Sequence, residues 1–130
     1  ALPIYLAGLK QMHAMKTGAL LSCSVQMGGI AAKLSPTQMQ HLKNYSEALG
    51  LAFQIVDDVL DATADSQTLG KTAGKDAAND KPTYVTLMGL DYAKKAATDL
   101  QETAIASLES FGAKAGALKY LALLVVNRGK

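Results

Sequence analysis

Tryptophan is missing from this 130-residue chain, phenylalanine occurs twice, proline three times and cysteine once. The lone Cys23 excludes an intrachain disulfide and any cysteine-rich metal site, and it fits a reducing compartment such as the cytoplasm. Charge is also sparse, at 18% of residues, and nearly balanced, with a formal net charge of +2. Arg128 is the only arginine and no dense basic run occurs, so the electrostatic footprint of a nucleic-acid binder is absent. Long apolar runs are lacking as well. The longest uncharged stretch, Thr17 to Ala32, is too short to span a bilayer and is interrupted by Ser22, Ser24, Gln26, Gly28 and Gly29, so it reads as a buried helix. No secretory leader is expected, because Ala1-Leu2-Pro3 passes almost at once into a helical pattern, as in a piece of a longer chain.

What remains is aliphatic. The chain is 49% hydrophobic, alanine is its commonest residue, and alanine has the highest helix propensity. These features exclude disorder and point to one all-α domain over residues 1–130, a bundle of about five helices. Apolar residues recur at helical spacing from Tyr5 to about Ala32 through Leu6, Leu9, Met12, Met15, Ala19, Leu20 and Val25, with Gly28-Gly29 bending or ending that helix. Ser35-Pro36-Thr37-Gln38 is a start signal, with Ser35 as cap, Pro36 at the first helical position and Gln38 completing a capping box. This second helix is expected to reach about Ala62. Asp65 to Lys81 is polar and lacks apolar periodicity, as in a functional loop. A short helix should follow Pro82 up to Gly89. A longer one, capped by Asp91, should reach Phe111 with Ala93, Ala97, Leu100, Ala104 and Leu108 on one face, stopped by Gly112. The last should run from about Ala115 to Asn127 with Leu118, Leu121, Ala122, Val125 and Val126 inward.

Three segments carry chemistry. In Phe53-Gln54-Ile55-Val56-Asp57-Asp58-Val59-Leu60-Asp61, a helix places positions 54, 57, 58 and 61 on one face. Like charges at that spacing repel by about 0.2–0.5 kcal/mol per pair, and a divalent cation would remove the repulsion. With oxygen ligands and no His or Cys nearby, magnesium suits the site better than zinc. An ordinary solvated acidic face explains the same pattern. The second segment is Gly70-Lys71-Thr72-Ala73-Gly74-Lys75-Asp76, followed by Lys81-Pro82-Thr83-Tyr84. Its glycines allow close backbone approach and its lysines suit phosphate, although a plain surface loop has the same composition. It is not a P-loop, since Asp65 stands where the first glycine is needed. In the third, Lys16 and Thr17 sit in an apolar helix beside Gly18. Lys16 there needs an anion or must reach solvent along its own stem. His13 suggests no role beyond local stacking or hydrogen bonding, and His41 reads as surface.

Together these segments resemble the C-terminal half of a trans-isoprenyl diphosphate synthase of the farnesyl or geranylgeranyl type. The residues that carry the resemblance are Lys16-Thr17-Gly18-Ala19, Phe53-Gln54 with Asp57-Asp58-Val59-Leu60-Asp61, Gly70-Lys71, Gly74-Lys75-Asp76, Lys81-Pro82-Thr83-Tyr84 and Asn127-Arg128. Order and spacing agree over nearly the whole chain, with bacterial farnesyl diphosphate synthases the most similar subfamily.

The resemblance implies half of an isoprenoid-synthase-like α-helical barrel and a prenyltransferase that condenses an allylic diphosphate with isopentenyl diphosphate, with farnesyl diphosphate as product. It implies that Asp57 binds magnesium directly while Asp58 and Asp61 hold metal-bound waters. Lys16, Lys71 and Lys81 would contact the allylic diphosphate. Thr17, Gln54 and the backbone oxygen of Lys16 would face the carbocation, Phe53 would line the isopentenyl side, and Arg128 would help to close it. Members of the family are more than twice this length and carry a further aspartate-rich motif in an N-terminal half that is not in this sequence. The chain is therefore expected to be a fragment, inactive alone, with apolar faces of its first two helices uncovered. Those faces would be buried in a homo-oligomer or against the missing half.

Overall fold

The computed structural model describes residues 5–67 and 82–129. All regular structure among them is helical. The first helix, α1 (Leu6–His13), runs through a π-helical turn (Ala14–Gly18) directly into α2 (Ala19–Ala31). A tight turn leads into α3 (Pro36–Gln67), a 32-residue helix. The short α4 (Tyr84–Met88), then α5 (Leu90–Ala106), a 3₁₀ segment (Glu109–Ala115) and α6 (Gly116–Asn127) complete the order.

α3 is the axis of the bundle. Its start is fixed by the capping box read from the sequence: the Gln38 amide donates to Ser35 Oγ at 3.2 Å, and the Ser35 amide donates to Gln38 Oε1 at 2.9 Å. α3 packs most extensively on α5, where the fully or nearly buried Ala93, Ala97 and Ala104 present small side chains that let the two helices approach closely. Two apolar clusters lie along it. One joins Leu42, Tyr45, Ala48 and Leu49 to Leu108, Ala115, Ala122 and Val125. The other joins Leu9, Ala52, Ile55 and Val56 to Tyr84, Ala93, Ala97 and Val126. Tyr45 is fully buried and donates its hydroxyl to the Leu118 carbonyl at 2.8 Å, tying α3 to the start of α6. Burial pushes its pKa up to about 12.

Several boundaries differ from expectation. Gly28-Gly29 does not end α2, which continues to Ala31, and Gly29 is the buried point where α2 meets Met39 and Leu42 of α3. Asp91 lies in the first turn of α5 and is not its cap, a position held by Gly89. α5 ends at Ala106, before Gly112. That glycine instead supplies a positive φ of 63° inside the 3₁₀ segment, a conformation open to glycine at little cost.

The uncovered apolar surface is also distributed differently. The Thr17–Ala32 stretch is largely exposed, with Leu20, Met27 and Ile30 all in solvent, and Met12 and Met15 continue the same helix. α3, the second helix read from the sequence, exposes no large hydrophobic residue among its described side chains, whereas α6 exposes Tyr120, Leu121, Leu123 and Leu124. No helix among the described residues is long and apolar enough to cross a membrane.

The π turn lies directly on α3. A Cβ at Gly50 would stand 3.4 Å from the Gly18 Cα and 3.5 Å from Leu21 Cδ2, so this is a backbone-on-backbone contact with no room beyond a methyl group. Gly50→Leu should therefore cost about 1–3 kcal/mol of stability in urea unfolding, as overpacking does, whereas Gly50→Ala should be tolerated. The raised Tyr45 pKa sets a pH dependence. The unfolded phenol titrates near 10 and the folded one near 12, so this contribution is intact below pH 10 and is lost as pH rises through that window. Thermal unfolding between pH 9 and 12 should show a shallower alkaline decline in Tyr45→Phe than in the wild type.

Candidate active site

The residues singled out in the sequence are delivered by three elements. α3 supplies Phe53, Gln54, Asp57, Asp58 and Asp61 within about two turns. The π turn supplies Lys16, which is exposed, and Thr17, which is half-buried. The C-cap of α6 supplies Arg128. Lys71 and Lys81 lie outside the described residues, as do Gly70, Gly74, Lys75 and Asp76.

Arg128 is anchored rather than left as a loose tail. Its Nη2 donates to the Phe53 carbonyl at 2.7 Å and its Nε to the Val125 carbonyl at 3.1 Å. The guanidinium lies over the Phe53 ring, 4.1 Å from the centroid. From there its Nη1 is 3.9 Å from Asp57 Oδ1, a loose ion pair that leaves the Asp57 side chain about half exposed. The end of α6 is thus fastened to the acidic turn of α3, and Arg128 brings positive charge to its edge.

Asp58 is held differently. Its Oδ2 accepts the Tyr84 backbone amide at 2.9 Å, at the first residue of α4. Tyr84 is fully buried, and its hydroxyl lies 3.1 Å from Nδ1 of His13, with the two rings tilted at 47° and centroids 5.2 Å apart. Burial first, and the nearby Asp58 carboxylate second, push the Tyr84 pKa above the ordinary phenol range. Thr83 starts α4 with a reciprocal capping box to Thr86, so the Pro82-Thr83-Tyr84 segment is clamped onto α3 beside the aspartates.

The three aspartates share a face of α3, but among the described residues no three His, Cys, Asp or Glu side chains converge as a closed metal cage. Asp57 turns toward Arg128, Asp58 toward Tyr84, and Asp61 lies exposed. An open, all-oxygen arrangement of this kind fits magnesium, which keeps several waters and is bound by one or two carboxylates together with substrate phosphates. Zinc would need nitrogen or sulfur ligands that this face lacks.

Clefts divide the surface around these elements. One of about 420 Å³ runs between the first helix and α3, lined by Lys10, His13, Gly18, Ser22, Glu47 and Gly50 among others. Lys16 lines a separate open groove with Gly8, Gln11, Met12 and Met15. Arg128 lines another with Val59, Leu60 and Thr63. Lys16 and Arg128 therefore line different clefts and do not share one enclosed cavity.

Two residues at this site had no role in the sequence reading. Tyr84 was part of a recognised segment only, yet a buried tyrosine needs a partner for its hydroxyl, which is a usable signal. His13 was read as making local contacts, whereas its partner is 71 positions away. His41, read as surface, is half-buried and meets Ser110 Oγ at 2.9 Å and the edge of Phe111.

Comparison with known proteins identifies the family and the fold. The family model described as polyprenyl synthetase matches residues 4–121. A farnesyl diphosphate synthase from Escherichia coli is 39% identical over 129 residues, covering 96% of this chain and 43% of the relative. A chloroplastic geranylgeranyl pyrophosphate synthase from Capsicum annuum is 42% identical over 114 residues, covering 88% of this chain and 31% of the relative. An FPP/GFPP synthase from Zymomonas mobilis, crystallised in the apo state, superposes with a TM-score of 0.82 at 32% identity, over 96% of this chain and 40% of that one. The chain spans less than half the length of each of these relatives. A family match over most of the sequence, together with the same helical fold at these identities, establishes that the chain belongs to the polyprenyl synthetase family.

Proposed function

We propose that residues 1–130 are the C-terminal part of the catalytic domain of a cytoplasmic prenyltransferase that joins an allylic diphosphate to isopentenyl diphosphate and makes farnesyl diphosphate. The observation that carries this reading is the assembly on α3: the Asp57–Asp61 turn is flanked by Arg128 on one side and by the Tyr84 segment on the other, and the Lys16–Thr17 turn packs on the same helix at Gly50. The exposed apolar residues of the first helix and of α6 would be covered by a second copy of the chain or by the part of the relatives' length that this chain does not span.

Magnesium, when bound, would supply the positive charge that stabilises a departing diphosphate. Asp57 would hold it directly, and Asp58 and Asp61 would hold its waters. Lys16, Lys71 and Lys81 would contact the diphosphate oxygens as flexible point charges. Ionisation leaves an allylic cation, which must be shielded from water and met by fixed dipoles. The Thr17 hydroxyl, the Gln54 side-chain oxygen and the Lys16 carbonyl would serve as those dipoles. A π turn suits this role, because its i→i+5 bonding widens the helix locally and turns carbonyls away from the regular ladder. Phe53 would present its ring on the isopentenyl side, with Arg128 locked over it. Condensation then follows from attack of the isopentenyl double bond on the cation and loss of a proton.

Calorimetric titration of geranyl diphosphate with and without magnesium tests the reading. Binding should require magnesium and weaken at least tenfold in Asp57→Ala. Equal affinity in wild type and Asp57→Ala would contradict it. Arg128→Ala should also lower stability by about 1–3 kcal/mol in urea unfolding, because it removes charge-assisted bonds to two backbone carbonyls.

A further inference from the structure

We propose that Tyr84 and His13 form a positioning strut that holds the Lys16–Thr17 turn in register with the Asp57–Asp61 turn. The inference rests on the reading above that both turns face one diphosphate ligand. Tyr84 touches both sides of that arrangement: its backbone amide is bonded to Asp58 Oδ2 and its hydroxyl to His13 Nδ1. His13 is the last residue of α1 and immediately precedes the π turn.

The geometry makes this more than core packing. A π turn is an interruption of the regular helix, and it stays at one place only where its surroundings fix the flanking residues. On the C-terminal side the Gly18–Gly50 contact fixes it against α3. On the N-terminal side Leu9 is buried in the same apolar cluster as Tyr84, and the side-chain hydrogen bond of His13 holds the last α1 residue to Tyr84. A rotation at His13 would change where the Lys16 side chain and the freed carbonyls point. Tyr84 itself has no freedom to follow, because it is fully buried and Thr83 and Thr86 cap its helix. The strut therefore references the lysine-bearing turn to Asp58, although the two lie on different helices.

Substitutions separate the strut from general packing. Tyr84→Phe keeps the ring and the backbone bond to Asp58 and deletes only the hydroxyl. His13→Leu deletes the other partner, whereas His13→Asn retains a side-chain polar atom near the position of Nδ1. Amide hydrogen exchange of the chain, measured without ligand, is the first readout. In Tyr84→Phe and His13→Leu, amides from Gly18 to Cys23 should exchange about three- to tenfold faster, as expected for loss of one hydrogen bond. Those of Ala104 and Ala122 should remain within twofold of wild type. Magnesium-dependent affinity for geranyl diphosphate should fall by a similar factor in both variants, and His13→Asn should retain much of what His13→Leu loses in both readouts. Unchanged exchange across the π turn in both variants would overturn the strut, as would an equal acceleration in every helix. Failure of wild-type protein to bind geranyl diphosphate would instead count against the proposed function, while the exchange data would still decide the strut.

Discussion

The close approach of Gly18 to Gly50 is the constraint on which the arrangement turns. At Gly50 the absence of a long side chain lets α3 lie close to the Gly18 Cα, and this crossing falls one turn before Phe53 and Gln54 and at the end of the π turn. It fixes where the first helix lies on α3, and so how far the Lys16–Thr17 turn stands from the aspartates. Other interactions refine that placement. Tyr45 ties α3 to α6, and Arg128 ties the end of α6 back to Phe53 and Asp57. Tyr84 ties α4 to Asp58 and to His13. α3 is the member common to these ties, which is why its acidic face can be organised by elements distant in sequence.

The distribution of apolar residues says what the chain lacks. Its two clusters lie mainly among α3, α5 and α6, where alanine faces permit tight packing, although α6 leaves Tyr120, Leu121, Leu123 and Leu124 exposed. The first helix is as rich in apolar residues but leaves Met12, Met15, Leu20, Met27 and Ile30 in solvent. Uncovered apolar residues of that kind are what the proposed association with a second copy or a further segment would bury. The chain also spans less than half of its relatives' length. Both facts agree with a helical assembly to which this chain contributes one part.

Much of this was legible in the sequence because helices announce themselves locally. The Ser35–Gln38 box, the alanine face of α5 and the spacing of the three aspartates depend on neighbours within four residues, and the observed helices keep them. Exposure along the first helix was expected from the resemblance and Leu20 bears it out, but that of Leu121 was not legible, since an apolar residue looks the same whether its partner is within the chain or outside it. Neither was the π turn: one widened turn within a continuous helix leaves no compositional mark. The pairing of His13 with Tyr84 joins residues 71 positions apart and depends wholly on the tertiary path. Gly112 misled for a different reason: a glycine signals that some special backbone conformation is needed, not which element it interrupts.

The central claim is that two turns on different helices face one magnesium–diphosphate ligand. Paramagnetic relaxation with manganese in place of magnesium, in the presence of geranyl diphosphate, measures this directly. The account predicts that amide resonances of residues 57–61 and of residues 15–18 broaden together, while those of Ala104, near the end of α5, and Leu108, just beyond it, stay sharp. Broadening confined to residues 57–61 would contradict it, because the lysine-bearing turn would then lie away from the ligand held by the aspartates.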